Sequence, residues 1–256
     1  MNLPYQKIGH GTEILLAFHG IGQDFSAFKD FAITFRERYT TLLFDLPFHG
    51  ENQHYTLGSW IKHEQLAQCL ENVFLREGID RFSVIGFSMG GRFALSAANS
   101  FAHRLIQLIL IAPDGVEEHP LFTFATRWKF SRFLFKKVIL HPNLMNKGSN
   151  LLVSLKVLNP SVQRFSLIML DTPAKKRQIL ASWIAFRALK REKVLIEKLN
   201  QYAIKTSIFI GRFDKLLPLT KVKSFHQQLS HSRLILLDSG HTRMIEHTTN
   251  YFLCKK

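Results

Sequence analysis

The chain has 256 residues, 46% of them hydrophobic and 23 of them Phe, enough to bury a substantial core in one large domain or in a core domain carrying an insertion. No stretch approaches the roughly 20 uninterrupted apolar residues of a membrane-spanning helix, and the first eight residues lack the apolar run of a secretory signal. Cys69 and Cys254 are too few for a disulfide scaffold and have no metal-ligand spacing, so a cytoplasmic protein with two free thiols and no metal is expected.

The formal charge is +15, and its placement is uneven: residues 115–200 hold 16 Lys and Arg against 5 Asp and Glu, which is +11 of the total. Such a segment attracts an anionic substrate, a membrane surface or nucleic acid, or is simply a solvated face. The solvated face is the preferred reading. No helix-in-groove or aromatic-basic motif supports nucleic-acid binding, which is not expected.

In chain order, a strand over Glu13–Phe18 runs into His19-Gly-Ile-Gly-Gln23, and a helix is predicted over 26–38. A strand over Thr40–Asp45 leads into Asp45-Leu-Pro-Phe-His-Gly50. A helix over 59–77 follows, with Ser59 placed to cap it, Lys62 where a capping box would have Glu or Gln, and Leu66, Leu70, Val73 and Phe74 as its buried stripe. The strand Arg81–Phe87 and a helix over 89–101 flank Gly86-Phe-Ser-Met-Gly90, and Leu105–Ala112 is another strand. Leu15–Phe18 and Leu105–Ile111 are nearly continuous apolar runs, as strands covered on both faces require.

From about Gly115 to Asn200 the alternation stops and the sequence becomes helical, basic and aromatic. Phe124, Trp128 and Phe135 share one predicted helix face opposite Lys129, Arg132 and Lys136, with Phe130 and Phe133 breaking the segregation. A lid helix packed on the core is the structural reading and peripheral membrane contact the lesser one. Strands over Thr206–Ile210 and Arg233–Leu237 and helices over 218–229 and 242–253 complete the chain. The pattern predicts an α/β fold, a mostly parallel sheet flanked by helices: a core of residues 1–114 and 201–256 with a helical, basic lid at 115–200.

The strongest chemical signal is Gly86-Phe-Ser-Met-Gly90, a G-x-S-x-G sequence between strand and helix. A serine hydroxyl is a poor nucleophile. It needs exposure on a sharp turn, a neighbouring base and N–H donors for the developing oxyanion. Together with four further motifs, this segment resembles the α/β-hydrolase fold family over essentially the whole chain. Gly91 extends the elbow and would let the next helix approach the sheet. His19–Gln23 stands where the family places its oxyanion loop. Asp45–Gly50 is similar to the family's D-x-P-G-H-G turn, with Phe48 replacing a glycine, and Gly211-Arg-Phe-Asp214 and Ser239-Gly-His241 resemble its acid and histidine motifs.

The resemblance implies a triad in the order Ser88, Asp214, His241. An imidazole ordinarily titrates near neutrality, which suits a base that takes the serine proton and returns it to the leaving group. Asp214 would orient that imidazole, with Asp114 as its rival, and the backbone N–H groups of Met89 and Ile21 would bind the oxyanion, with Gly22 as the alternative to Ile21. Arg92, one helical turn beyond Ser88, is a candidate for a substrate carboxylate or else a salt bridge. Phe87, Phe48 and Trp128 are further candidates for substrate contact.

Ser88-Met-Gly-Gly-Arg92 is also similar to the lyase group of menaquinone biosynthesis, with Phe87 where that group has tyrosine. The leading expectation is a serine hydrolase of a small ester or thioester, its substrate anionic or neutral, working through an acyl-enzyme without a cofactor. The alternatives are a lyase or C–C bond hydrolase on a carboxylated substrate, and a noncatalytic binding protein on the same scaffold. The sequence carries no signal of oligomeric state.

Overall fold

The computed structural model describes residues 3–52, 60–118, 123, 126, 128–156 and 158–254. Among them, seven strands form one sheet: β1 (Tyr5–Ile8), β2 (Glu13–Phe18), β3 (Tyr39–Phe44), β4 (Phe82–Phe87), β5 (Leu105–Ile111), β6 (Lys205–Gly211) and β7 (Ser232–Leu237). Their order across the sheet is β1-β3-β2-β4-β5-β6-β7. Only β1 is antiparallel to its neighbour, β3. All other pairs are parallel.

The helices are α1 (Lys29–Thr34), α2 (His63–Glu77), α3 (Gly90–Ser100), α4 (Lys129–Leu140), α5 (Pro142–Ser154), α6 (Pro160–Met169), α7 (Pro173–Ala185), α8 (Val194–Gln201), α9 (Thr220–Gln227) and α10 (Met244–Leu253). Leu16 and Phe18 of β2 pack in one core with α2, α3, α8 and α9. Leu15 and Ala17, pointing the other way, pack in a second core with α1 and α10. Alternate residues of one strand are therefore both buried, which is why the strand reads as an unbroken apolar run.

Between β5 and β6 the chain carries α4 to α8. Pro142, Pro160 and Pro173 start α5, α6 and α7. Proline suits a first helical turn and drives the residue before it out of the helical region, so this stretch breaks into short pieces. Asn159 and Thr172 cap α6 and α7, their side-chain oxygens accepting from Ser161 N and Lys175 N.

Three expectations need correcting. The helix predicted over 26–38 is a 3₁₀ turn at Phe25–Phe28 followed by the shorter α1, because the Arg36 and Arg38 carbonyls accept from His10, Gly11 and Glu13 and pull the chain toward the sheet. The helix predicted from residue 59 starts at His63, where Gln65 Oε1 accepts the Lys62 N–H. Ser59 and Phe124 lie outside the described residues. Finally, β1 was not expected at all: four residues with Gln6 and Lys7 in the middle carry little strand signal, and an edge strand needs only one covered face.

Candidate active site

The strand order reverses at β2, which has β3 on one side and β4 on the other. In open α/β sheets this switch point leaves a crevice at the carboxyl ends of the strands. The two loops that open there are His19–Gln23 after β2 and the Ser88 turn after β4.

Ser88 has φ +50°, in the left-handed region that a side chain disfavours. The turn is held on both sides: Ser88 N–H donates to Ile111 O, and Gly91 N–H and Asp114 N–H both donate to Ser88 O, each at 2.9 Å. Gly90 permits the crossing, since a Cβ there would stand 2.0 Å from Phe18 O. The close approach to the sheet thus belongs to Gly90, whereas Gly91 faces Pro113 and the Asp114 carbonyl. Gly90→Ala is expected to destabilise the fold by about 3 kcal/mol, because backbone rather than a flexible side chain must give way, and urea unfolding measures it.

His241 follows β7 on a 3₁₀ turn, His241–Arg243. Its Nδ1 lies 2.7 Å from Asp214 Oδ2 and its Nε2 3.0 Å from Ser88 Oγ. Asp214 Oδ1 accepts from Leu216 N at 2.8 Å and Leu217 N at 3.0 Å. An ionised carboxylate only accepts, so Nδ1 carries the ring proton and the Nε2 lone pair faces the serine hydroxyl. Phe87 and Phe165 flank the imidazole, their ring centroids 5.1 and 6.0 Å from it.

The loop after β2 is braced by two buried histidines. His19 Nδ1–H donates to Gly20 O at 2.7 Å while its Nε2 accepts from Leu46 N. His49 Nδ1–H donates to Pro47 O, and its Nε2 accepts the Gly22 N–H at 2.9 Å. Gly22 is thereby occupied. Among the described residues the N–H groups of Ile21 and Met89 have no hydrogen-bond partner. Phe48, at φ +70°, keeps the left-handed conformation that a glycine would take more easily. It packs on Phe186, and its carbonyl accepts from Gln178 of α7.

Burial pushes the His19 imidazole down to about 3, with the nearby His49 ring adding to it, and burial pushes His49 down to about 4. Both rings are neutral in the fold and regain their ordinary basicity on unfolding. The unfolded chain then binds the extra protons as pH falls below about 6.5, so stability is lost on acidification toward pH 4. A decrease of about 4 kcal/mol in unfolding free energy from pH 7 to pH 5 is expected from the pair. Denaturant titrations across that range check it, and His19→Asn should flatten the slope.

A family model described as the alpha/beta hydrolase fold matches residues 13–248. The chain belongs to the alpha/beta hydrolase fold family. Similar proteins include the hydrolase YugF of Bacillus subtilis, 23% identical over 93% of this chain and 85% of its own length. The pimeloyl-[acyl-carrier protein] methyl ester esterase of Hamiltonella defensa is 23% identical over 98% of this chain and 94% of its own. Among solved structures, a hydrolase from Pseudomonas aeruginosa superposes with a TM-score of 0.69 at 17% identity, covering 97% of this chain and 91% of its own. Among the described residues of this hydrolase no helix is long and apolar enough to cross a membrane, and no His, Cys, Asp and Glu group is arranged to hold a metal ion.

The hydrolase does not present Arg92 to the Ser88 crevice. The side chain is 0% exposed, with Nε 2.6 Å from Asp114 Oδ2, Nη2 3.2 Å from Asp114 Oδ1 and Nη1 3.2 Å from Glu118 Oε1. Nη1 also donates to Leu189 O. Burial pushes the guanidinium toward its neutral form, but the Asp114 and Glu118 carboxylates outweigh it and hold the charge. Arg92 is therefore a buried clasp: of the two readings the salt bridge is the one it adopts, inside the protein and not at its surface, and Asp114, the rival acid, faces Arg92 instead of His241.

Of the other expected contacts, Phe87 touches the imidazole, Phe48 lies under α7, and Trp128 stands half-exposed at the start of α4. Sequence reasoning missed His49, although it lies inside the Asp45–Gly50 turn. It also missed Phe165 and Met169. These sit one turn apart on α6: Phe165 lies against His241, and a Cβ on Gly22 would stand 2.3 Å from the Met169 methyl. Their only signal is i, i+4 apolar spacing, which any packed helix shows.

Proposed function

We propose that this hydrolase cleaves a carboxylic ester or thioester through an acyl-enzyme on Ser88. One observation carries the reading: a single imidazole bridges a strained serine and a fully hydrogen-bonded carboxylate, at 3.0 and 2.7 Å. Ser88 Oγ attacks the carbonyl carbon as His241 Nε2 takes its proton, and the carbonyl oxygen becomes an oxyanion held by the N–H groups of Ile21 and Met89. As the intermediate collapses, the Nε2 proton passes to the departing alcohol or thiol. Water then repeats the sequence on the acyl-enzyme, giving the acid and restoring Ser88.

Asp214 holds the Nδ1–H tautomer throughout and stabilises the imidazolium. Helices α4 to α7 act as the lid, with Phe165 and Met169 of α6 lying over the site, and this apolar cover favours an apolar acyl portion. The Hamiltonella relative is named for a methyl ester, and a small alcohol as leaving group is proposed here too. A fluorophosphonate probe and a panel of p-nitrophenyl esters of graded acyl length test the assignment. Labelling and turnover should vanish in Ser88→Ala, and their full retention would overturn it.

A further inference from the structure

We propose that the outward face of α4, α5 and α6 seats this protein on an anionic membrane surface. The inference does not rest on the ester reading. Between Glu118 and Asp171 the sequence has no acidic residue and eight Lys and Arg. Within the same stretch lie half of the large apolar side chains that the described residues expose.

The exposed groups follow helical stripes. On α4, Ser131, Phe135 and Ile139 face inward, Phe135 stacking on Trp183. Phe130 and Phe133, 75% and 56% exposed, and Leu134 then line the other side, with the Lys137 ammonium 4.8 Å from the Phe133 ring centroid. On α5 the outward series is Leu144, Lys147 and Leu151, continued by Leu155 just past its end. On α6, Arg164 and Ile168 are exposed while Phe165 and Met169 turn toward the site. A helix covered on one face has no folding reason to carry a second apolar stripe, and exposed apolar surface of this extent marks an interaction site.

The charge decides what covers it. A second copy of the chain would set eight cations against eight with no acid to pair them. An acidic protein satisfies the cations, but it must also offer a shaped pocket for each of several scattered aromatic and leucine side chains. The interface of an anionic bilayer meets both needs without shape matching: lipid phosphates take the Lys and Arg, and the acyl boundary takes Phe and Leu at any spacing.

Co-sedimentation of the full chain with vesicles tests this, using equimolar phosphatidylglycerol and phosphatidylcholine against phosphatidylcholine alone. Binding to the anionic vesicles alone is expected, weakening as salt is raised. Phe130→Ser with Phe133→Ser should weaken it about tenfold, through lost apolar insertion. Lys136→Glu with Lys137→Glu should reduce it further, and unchanged thermal unfolding establishes that these surface variants fold. Failure to sediment with anionic vesicles at low salt overturns the proposal. So does retention on polyglutamate that matches vesicle binding and ignores the phenylalanine changes, an outcome that assigns the face to an acidic protein.

Discussion

Asp214→Asn is expected to lower kcat/KM for a p-nitrophenyl ester by about 10⁴-fold while leaving the fold intact. The hydrogen bonds around the carboxylate dictate the sign. Leu216 and Leu217 donate to Oδ1, so an asparagine keeps its carbonyl oxygen there and turns its NH₂ toward His241. A ring nitrogen facing a donor must accept, which moves the ring proton from Nδ1 to Nε2. The imidazole then offers Ser88 a donor where the reaction needs a base. Steady-state kinetics with urea unfolding separates this from misfolding. Asp114→Asn is the contrasting variant, expected to cost stability and to leave the chemical step nearly unchanged, since its carboxylate faces Arg92. Equal losses of turnover in the two would refute the assignment of the acid.

Arg92→Met is expected to destabilise the fold by about 3 to 5 kcal/mol, the usual penalty for removing one partner of a buried ion pair. The volume is nearly conserved, so little of the loss comes from packing. Most of it comes from the Asp114 and Glu118 carboxylates, each about four-fifths shielded from water, which lose their cation together. Arg92→Lys should recover only part, because an ammonium cannot reproduce the two-pronged contact with Asp114. Asp114→Asn in the Arg92→Met background should be less damaging than in the parent, which a double-mutant cycle reads directly. A substrate-carboxylate role predicts a different pattern: stability preserved and KM raised for anionic esters alone.

The fold was legible where residues obey one strong period. Leu105–Ile111 reads as a strand because both its faces are covered, and Ser88, Asp214 and His241 read as a set because each follows a strand and sits beside a glycine or in a short turn. Arg92 stayed open between two readings for the opposite reason. Spacing places it one turn from Ser88, but whether a guanidinium points at solvent, substrate or a carboxylate depends on Asp114, Glu118 and Leu189, the last of them 97 positions away. His49 shows the same limit at shorter range: the motif identifies a turn, while the acceptance of the Gly22 N–H is a tertiary contact. Phe165 and Met169 carry no chemical signature, and only the folded course of α6 brings them over the imidazole and the β2 loop.

The clasp at Arg92 has a consequence for how this molecule can change. Arg191 N–H donates to Gly115 O at 2.8 Å and its Nε to Val116 O at 3.1 Å, so the chain leaves the core and returns to it at the same spot. A detour that begins and ends together imposes almost no spacing on the strands it interrupts, and lengthening it twofold costs only about 0.6 kcal/mol of loop entropy. Helices can therefore be exchanged, shortened or added beyond residue 118 with the Ser88 turn held in register by Ile111 and Asp114. Such a junction lets selection rewrite what reaches the serine while the reaction itself stays fixed.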